Sequence, residues 1–185
     1  MTNNEMKEIF TFMKFAWPNA EMFKGGVTQL APTIVLWTAC LPDLDFNMGL
    51  LAFMRLCQNN RFPPTIAEFN DAAKEIQSEM RTEAEKARQY FHFWQSTCRF
   101  NDETEKEEIP GDYTRMTIAR MGGETCLYDE RGFFKRDEFN ENYYEILLEE
   151  RLQSVENLRE ELEKLKEKSQ RNPALGDSVE RRKLI

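Results

Sequence analysis

The chain contains a single histidine, His92, in 185 residues, and its four cysteines, Cys40, Cys57, Cys98 and Cys126, stand far apart with no C-x-x-C pair. Zinc sites draw on clustered Cys and His ligands, so this scarcity argues against a zinc centre. Ser-His-Asp, Cys-His and two-histidine metalloprotease schemes would all have to run through His92, which lies in the helical run Gln89-Tyr90-Phe91-His92-Phe93-Trp94. A packed or surface imidazole is the plainer reading. The cysteines read as small buried or idle residues, because a helical core makes a disulfide framework unnecessary. Glycine is also scarce, with eight in all, and neither Gly25-Gly26 nor Met121-Gly122-Gly123-Glu124 has the G-x-x-x-x-G-K-[ST] spacing that wraps amides around a triphosphate. A P-loop ATPase is excluded on that ground. No run approaches the ~18 apolar residues of a membrane span, and the start MTNNEMKEIF lacks a basic region and an apolar signal core, so a cytoplasmic protein is expected.

Acidic residues are in excess. Lys and Arg number 25 against 33 Asp and Glu, giving a net charge of -8 and a pI of 4.9. This balance works against charge-driven binding to phosphate backbones, and direct nucleic-acid binding is not expected without a local basic patch. Most carboxylates sit beside lysines and arginines on helical patterns, which is the signature of a solvated face. No catalytic pair and no cofactor are assigned; the chain is not expected to be an enzyme.

Apolar spacing predicts helices throughout. Met6, Ile9, Phe10, Met13 and Trp17 recur at helical intervals over Asn4 to Trp17, with Asn3 or Asn4 as cap and Pro18 as stop. Pro32 suits a first helical turn ahead of Ile34, Leu36, Trp37, Cys40 and Leu41, and Pro42-Asp43 ends that helix. Asp45 caps a third helix through Met48, Leu51, Ala52, Arg55 and Leu56 to about Asn60. Then comes Arg61-Phe62-Pro63-Pro64-Thr65-Ile66-Ala67-Glu68-Phe69, in which Thr65 and Glu68 have the T-x-x-E spacing of a capping box and Phe62 is placed to staple the first turn. From Ile66, apolar or small residues step by three or four to Cys98, a helix of about 33 residues and roughly 50 Å.

The acidic run Asn101 to Glu108 with Pro110-Gly111 reads as a linker. Beyond it a short helix, Tyr113 to Met121, is closed by Gly122-Gly123, and an aromatic turn follows at Leu127-Tyr128 and Gly132-Phe133-Phe134. A final helix from Lys135 carries Leu148, Leu152, Val155, Leu158, Leu162 and Leu165 near one stripe among Glu, Lys and Arg, resembling a coiled coil of about two to three heptads. The expected organisation is an all-α protein: an N-terminal helical bundle over 1–75, the long helix continuing over 76–100, an acidic linker over 101–112, a helical unit over 113–168 and a flexible basic tail over 169–185.

Trp37 and Leu41, the acidic turn Asp43 to Asp45, a helix, and then Phe62-Pro63-Pro64-Thr65-Ile66-Ala67-Glu68-Phe69 together resemble the phage replicative-helicase loader and inhibitor family. Ala16-Trp17-Pro18-Asn19-Ala20 and Ala31 to Leu41 are similar to the same family, and the resemblance covers roughly residues 4–75. The family motif Trp37, Phe62, Pro63, Pro64, Thr65 and Glu68 is taken as mainly structural, with Trp37 and Phe62 as core aromatics. The resemblance implies a small helical domain that binds a DnaB-type hexameric helicase, holds it inactive and delivers it to an origin-bound initiator, without hydrolysing ATP.

Leu158, Leu162 and Leu165 are candidates for partner binding, and an intramolecular or self-associating coiled coil explains the same stripe. A rival reading is an acidic phage inhibitor of a host nucleic-acid enzyme, such as an anti-CRISPR protein, with Glu103, Glu105, Glu107 and Glu108 as its patch. A third is a replication-initiator DNA-binding module using Arg115 and Arg120, which needs a basic face that the charge count barely supports.

Overall fold

Thr2 and Glu5 form the first capping box of the chain. In a computed structural model describing residues 1–98, 109 and 111–171, the Thr2 hydroxyl accepts from the Glu5 amide at 3.3 Å and the Glu5 carboxylate accepts from the Thr2 amide at 2.6 Å. Helix α1 (Asn3–Ala16) therefore starts from Thr2 rather than from the expected Asn3 or Asn4. Two 3-10 turns, Glu21–Phe23 and Val27–Leu30, lead into α2 (Ala31–Cys40), which has proline in its first turn. Asp45 caps α3 (Phe46–Asn59) by accepting from the Met48 amide at 2.9 Å. The second capping box is as expected, with Thr65 and Glu68 exchanging bonds of 3.2 and 2.7 Å at the start of α4 (Ile66–Cys98).

The interior of this N-terminal bundle is aromatic. The indole of Trp37 meets Phe10 edge-on at 5.1 Å and Phe69 at 5.5 Å, so one side chain joins α1, α2 and α4. Phe10 also meets Phe23 at 6.4 Å. Edge-to-face contacts add to the burial of large rings, and Phe10 and Phe69 are fully enclosed. Gly49 lets α3 approach α1 closely, because a Cβ there would fall 2.9 Å from Ile9 Cδ1. At the rim, Trp17 Nε1 donates to the Asn60 carbonyl at 3.3 Å, and Arg55 forks onto Glu79 at 2.5 and 3.0 Å to tie α3 to α4.

Phe62 departs from expectation. It is 71% exposed, with Arg61 5.9 Å from its ring centroid, and it neither staples α4 nor enters the core. Pro63 and Pro64 set an extended approach to the helix, and Pro64, directly before the Thr65 cap, is the residue buried there in place of Phe62.

Helix α5 (Asp112–Arg120) ends as expected at the paired glycines. Gly122 donates to Ala119 O at 3.1 Å and Gly123 to Ile118 O at 2.8 Å, the double bond pattern of a Schellman stop, which needs the positive φ of Gly122. A 3-10 turn, Glu124–Leu127, precedes a tight reversal in which Tyr128 and Phe134 pair as an antiparallel bridge. The Asp129 carboxylate shapes it by accepting from the amides of Arg131 and Phe133. Helix α6 (Arg136–Arg171) follows. Among the described residues there are six α-helices and no strand, an all-α fold.

The far half of α4 is covered by these later elements. Phe91 is fully buried, stacked on Phe139 at 6.0 Å and 6.4 Å from Phe134, while Phe134 lies 4.3 Å from His92. Tyr128 donates to Gln95 Oε1 at 2.8 Å. Glu85 is the polar hub beside this cluster: it accepts from Arg88, Gln89, Arg136 and Asn140 at 2.5 to 3.2 Å. These bonds, that of Arg88 foremost, hold its carboxyl far below the usual carboxylate range. Arg120 ties α5 to α6 through Glu149 at 2.7 Å and Glu145 at 3.5 Å.

The chain consequently forms one compact unit over 1–149 and a second over 150–185. Phe134 and Phe139, from beyond the stretch expected as a linker, pack on α4 within the first unit. Of the second unit, 150–171 continue as helix, past the expected start of the tail at 169; 172–185 lie outside the described residues.

Trp37→Ala leaves a hole between Phe10 and Phe69 and should cost about 3–5 kcal/mol in chemical denaturation. Because the Glu85 carboxyl is depressed in the folded state, its stabilising effect is complete above the unfolded value of about 4.5 and fades as pH falls toward the folded value. Glu85→Gln should therefore flatten the loss of stability below pH 4.5 measured by thermal melting, while lowering stability at pH 7.

Candidate protein-docking face

Helix α2 is the sequence APTIVLWTAC, and it lies in a stretch from Gly25 to Pro42 with no charged residue, bounded by Lys24 and Asp43. A surface helix normally pairs an apolar inward stripe with a charged outward one. Here both sides are uncharged. Trp37 and Ile34 turn inward, at 5% exposure each, and this fixes the rotation of the helix. The opposite rows then carry Pro32, Val35, Leu36, Ala39 and Cys40, spaced i, i+3, i+4, i+7 and i+8, and all five are exposed. Val35 and Leu36 stand at 54% and 56%. Thr38 is satisfied within the helix by donating to Ile34 O at 3.0 Å.

The other helices of the bundle treat their outer rows differently. Lys7, Glu8 and Lys14 lie along α1, α3 exposes the polar side chains of Asn47, Gln58 and Asn59, and α4 alternates carboxylates with lysines and arginines. What α2 offers is a ridge, Val35 and Leu36, flanked by the small side chains of Pro32, Ala39 and Cys40. Such a surface is suited to packing against another apolar surface and to no acid–base chemistry.

The family-motif residues fall into separate roles. Trp37 is the centre of the core, Pro63, Pro64, Thr65 and Glu68 build the entry to α4, and Phe62 points to solvent. Leu158, Leu162 and Leu165 lie in α6, and their side chains are outside the described residues, as are Glu103, Glu105, Glu107 and Glu108. Arg120 is engaged by Glu149 and Glu145, and Arg115 is paired with Asp112, so neither is held out as a free DNA-reading side chain. Tyr90 and Phe93 are exposed at 59% and 62%, and only Phe91 of that aromatic run is fully enclosed.

No group of three or more His, Cys, Asp or Glu side chains among the described residues is placed to hold a metal. Polar grooves of about 490 and 520 Å³ flank Arg81 on α4, and neither is lined by a histidine or a cysteine. His92 packs on Phe134, and burial, with Arg88 nearby, lowers its pKa and keeps it neutral at physiological pH. No helix among the described residues is long and apolar enough to cross a membrane.

Residues 1–69 match the family model for the N-terminal domain of the phage gene 39 protein. That phage protein is a helicase-binding inhibitor. The match takes in α1, α2, α3 and the first residues of α4, and so includes the whole uncharged stretch around α2. No curated protein and no solved structure matches the chain.

The outer face of α2 is the feature that helical spacing alone does not reveal. Spacing identifies a helix there but not which of its apolar residues turn outward; the available signal is the absence of charge over Gly25 to Pro42. If the face is open in the free protein, Cys40 should be alkylated by N-ethylmaleimide without denaturant, read by mass spectrometry of its peptide. Protection of Cys40 in the isolated protein would mean that the face is already covered.

Proposed function

We propose that this chain binds a DnaB-type hexameric replicative helicase and regulates its activity or loading during phage DNA replication, by contact alone. The observation that carries this reading is the match of residues 1–69 to a domain from a helicase-binding inhibitor protein. The structure is compatible in kind: the matched residues form a bundle closed on Trp37 that presents an uncharged helical face. In this reading the chain has no catalytic step of its own, acts in the bacterial cytoplasm, and serves as a holder that an origin-binding initiator releases.

Its acidity also fits a role beside a DNA-threading enzyme. A net charge of -8 disfavours competition for the DNA backbone.

The test is size-exclusion chromatography with light scattering on the full chain mixed with the DnaB-type helicase of its phage or host, with and without nucleotide. A complex of defined stoichiometry is expected, formed without any ATP hydrolysis by this chain. Elution as two separate species in every nucleotide state would overturn the proposal.

A further inference from the structure

We infer that the outward face of α2, Val35 and Leu36 with Pro32, Ala39 and Cys40 around them, is an anchor by which this chain docks on an apolar surface of the helicase subunit. The inference rests on the helicase reading above and adds to it the place of contact.

Three observations select this face and this occupant. First, the segment that carries the family likeness, 1–69, contains α2, and α2 is the helix of that segment whose exposed rows are apolar, whereas α1 exposes Lys7 and α3 exposes Asn47, Gln58 and Asn59. Second, the chemistry is one-sided. With Lys24 and Asp43 only at the margins, the face has no group to satisfy a charged or strongly polar surface, so the complementary surface must be apolar at its centre. Third, the size is wrong for a self-sufficient dimer of this chain. Rows 32 to 40 extend about 12 Å along one helix ~10 Å wide, so the face contributes a few hundred Å² at most. A standard stable interface needs ~800 Å² from each partner, and a two-fold dimer through this patch would use the same small area twice. A patch of this size works as the apolar centre of a larger contact with a different protein.

Val35 and Leu36 are more than half exposed, so they can be changed without opening the core. The full-length variant Val35→Glu/Leu36→Glu should keep the helical circular dichroism and melting temperature of the parent. Its affinity for the helicase, by titration calorimetry, should fall on the order of tenfold or more, because the new carboxylates would be buried unpaired. Lys7→Glu on the exposed side of α1 serves as the charge control and should bind as the parent does. Cys40 supplies a readout that needs no mutation. Its alkylation by N-ethylmaleimide should slow in the complex, whereas that of Cys126, also exposed, serves as the internal reference.

The outcomes separate the two levels of the argument. If the parent binds helicase and the double variant binds equally well, with Cys40 alkylated at its free rate, the assignment to α2 fails and the helicase reading stands. If the parent does not bind helicase at all, both fail. If the parent self-associates, the double variant is monomeric, and helicase binding is unchanged, the face is an interface between copies of this chain and the assignment is overturned.

Discussion

One indole decides how the N-terminal bundle is arranged. Trp37 sits edge-on between Phe10 of α1 and Phe69 of α4, and no other side chain on α2 is large enough to fill that space. Because the helix is apolar on every side, hydrophobicity alone would not choose its rotation; the shape of the gap between two phenylalanines does. Once Trp37 is inward, Ile34 follows three residues earlier, and Val35, Leu36, Ala39 and Cys40 are carried to the outside by helical geometry. The open apolar face is thus a by-product of core packing in its position, though not in its composition.

A second aromatic stack repeats the device farther along α4. Phe91 lies against Phe139 and near Phe134, and the Glu85 hub beside it gathers Arg88, Arg136 and Asn140 from two helices. The long helix is therefore buried at both ends by different partners: the first three helices at one, and the Tyr128–Phe134 reversal with the start of α6 at the other. That double use places residues 1–149 in one unit despite the acidic stretch in the middle of the chain.

Helices and their ends were legible in the sequence because their determinants are local. The Thr65–Glu68 box, the Asp45 cap, the glycine stop at 122–123 and the bounds Ile66 to Cys98 all follow from spacing within a few residues. Thr2 shows that even a local signal can be missed when two asparagines beside it are equally good caps. What spacing could not supply was long-range. Phe62 is left in water while Pro64, two residues on, is the one buried before the cap, and no spacing rule distinguishes the two. The unit boundary depends on Phe134 finding His92 and Phe91 far back along the chain. The outward residues of α2 were unreadable for the same reason: in a uniformly apolar helix no periodicity marks the buried side.

The composition of that face bears most directly on function. Glutamate, lysine or glutamine at positions 35 and 36 would suit an exposed helix at least as well as valine or leucine, since their helix propensities are comparable to that of leucine and better than that of valine. The core gains little from these two side chains, which lie more than half in water. In a chain with 25 basic and 33 acidic residues out of 185, the stretch from Gly25 to Pro42 is uncharged on the solvent side of α2 as well as on its buried side. The proposed contact accounts for it, because a protein surface that covers α2 would exclude charge from the centre of this face.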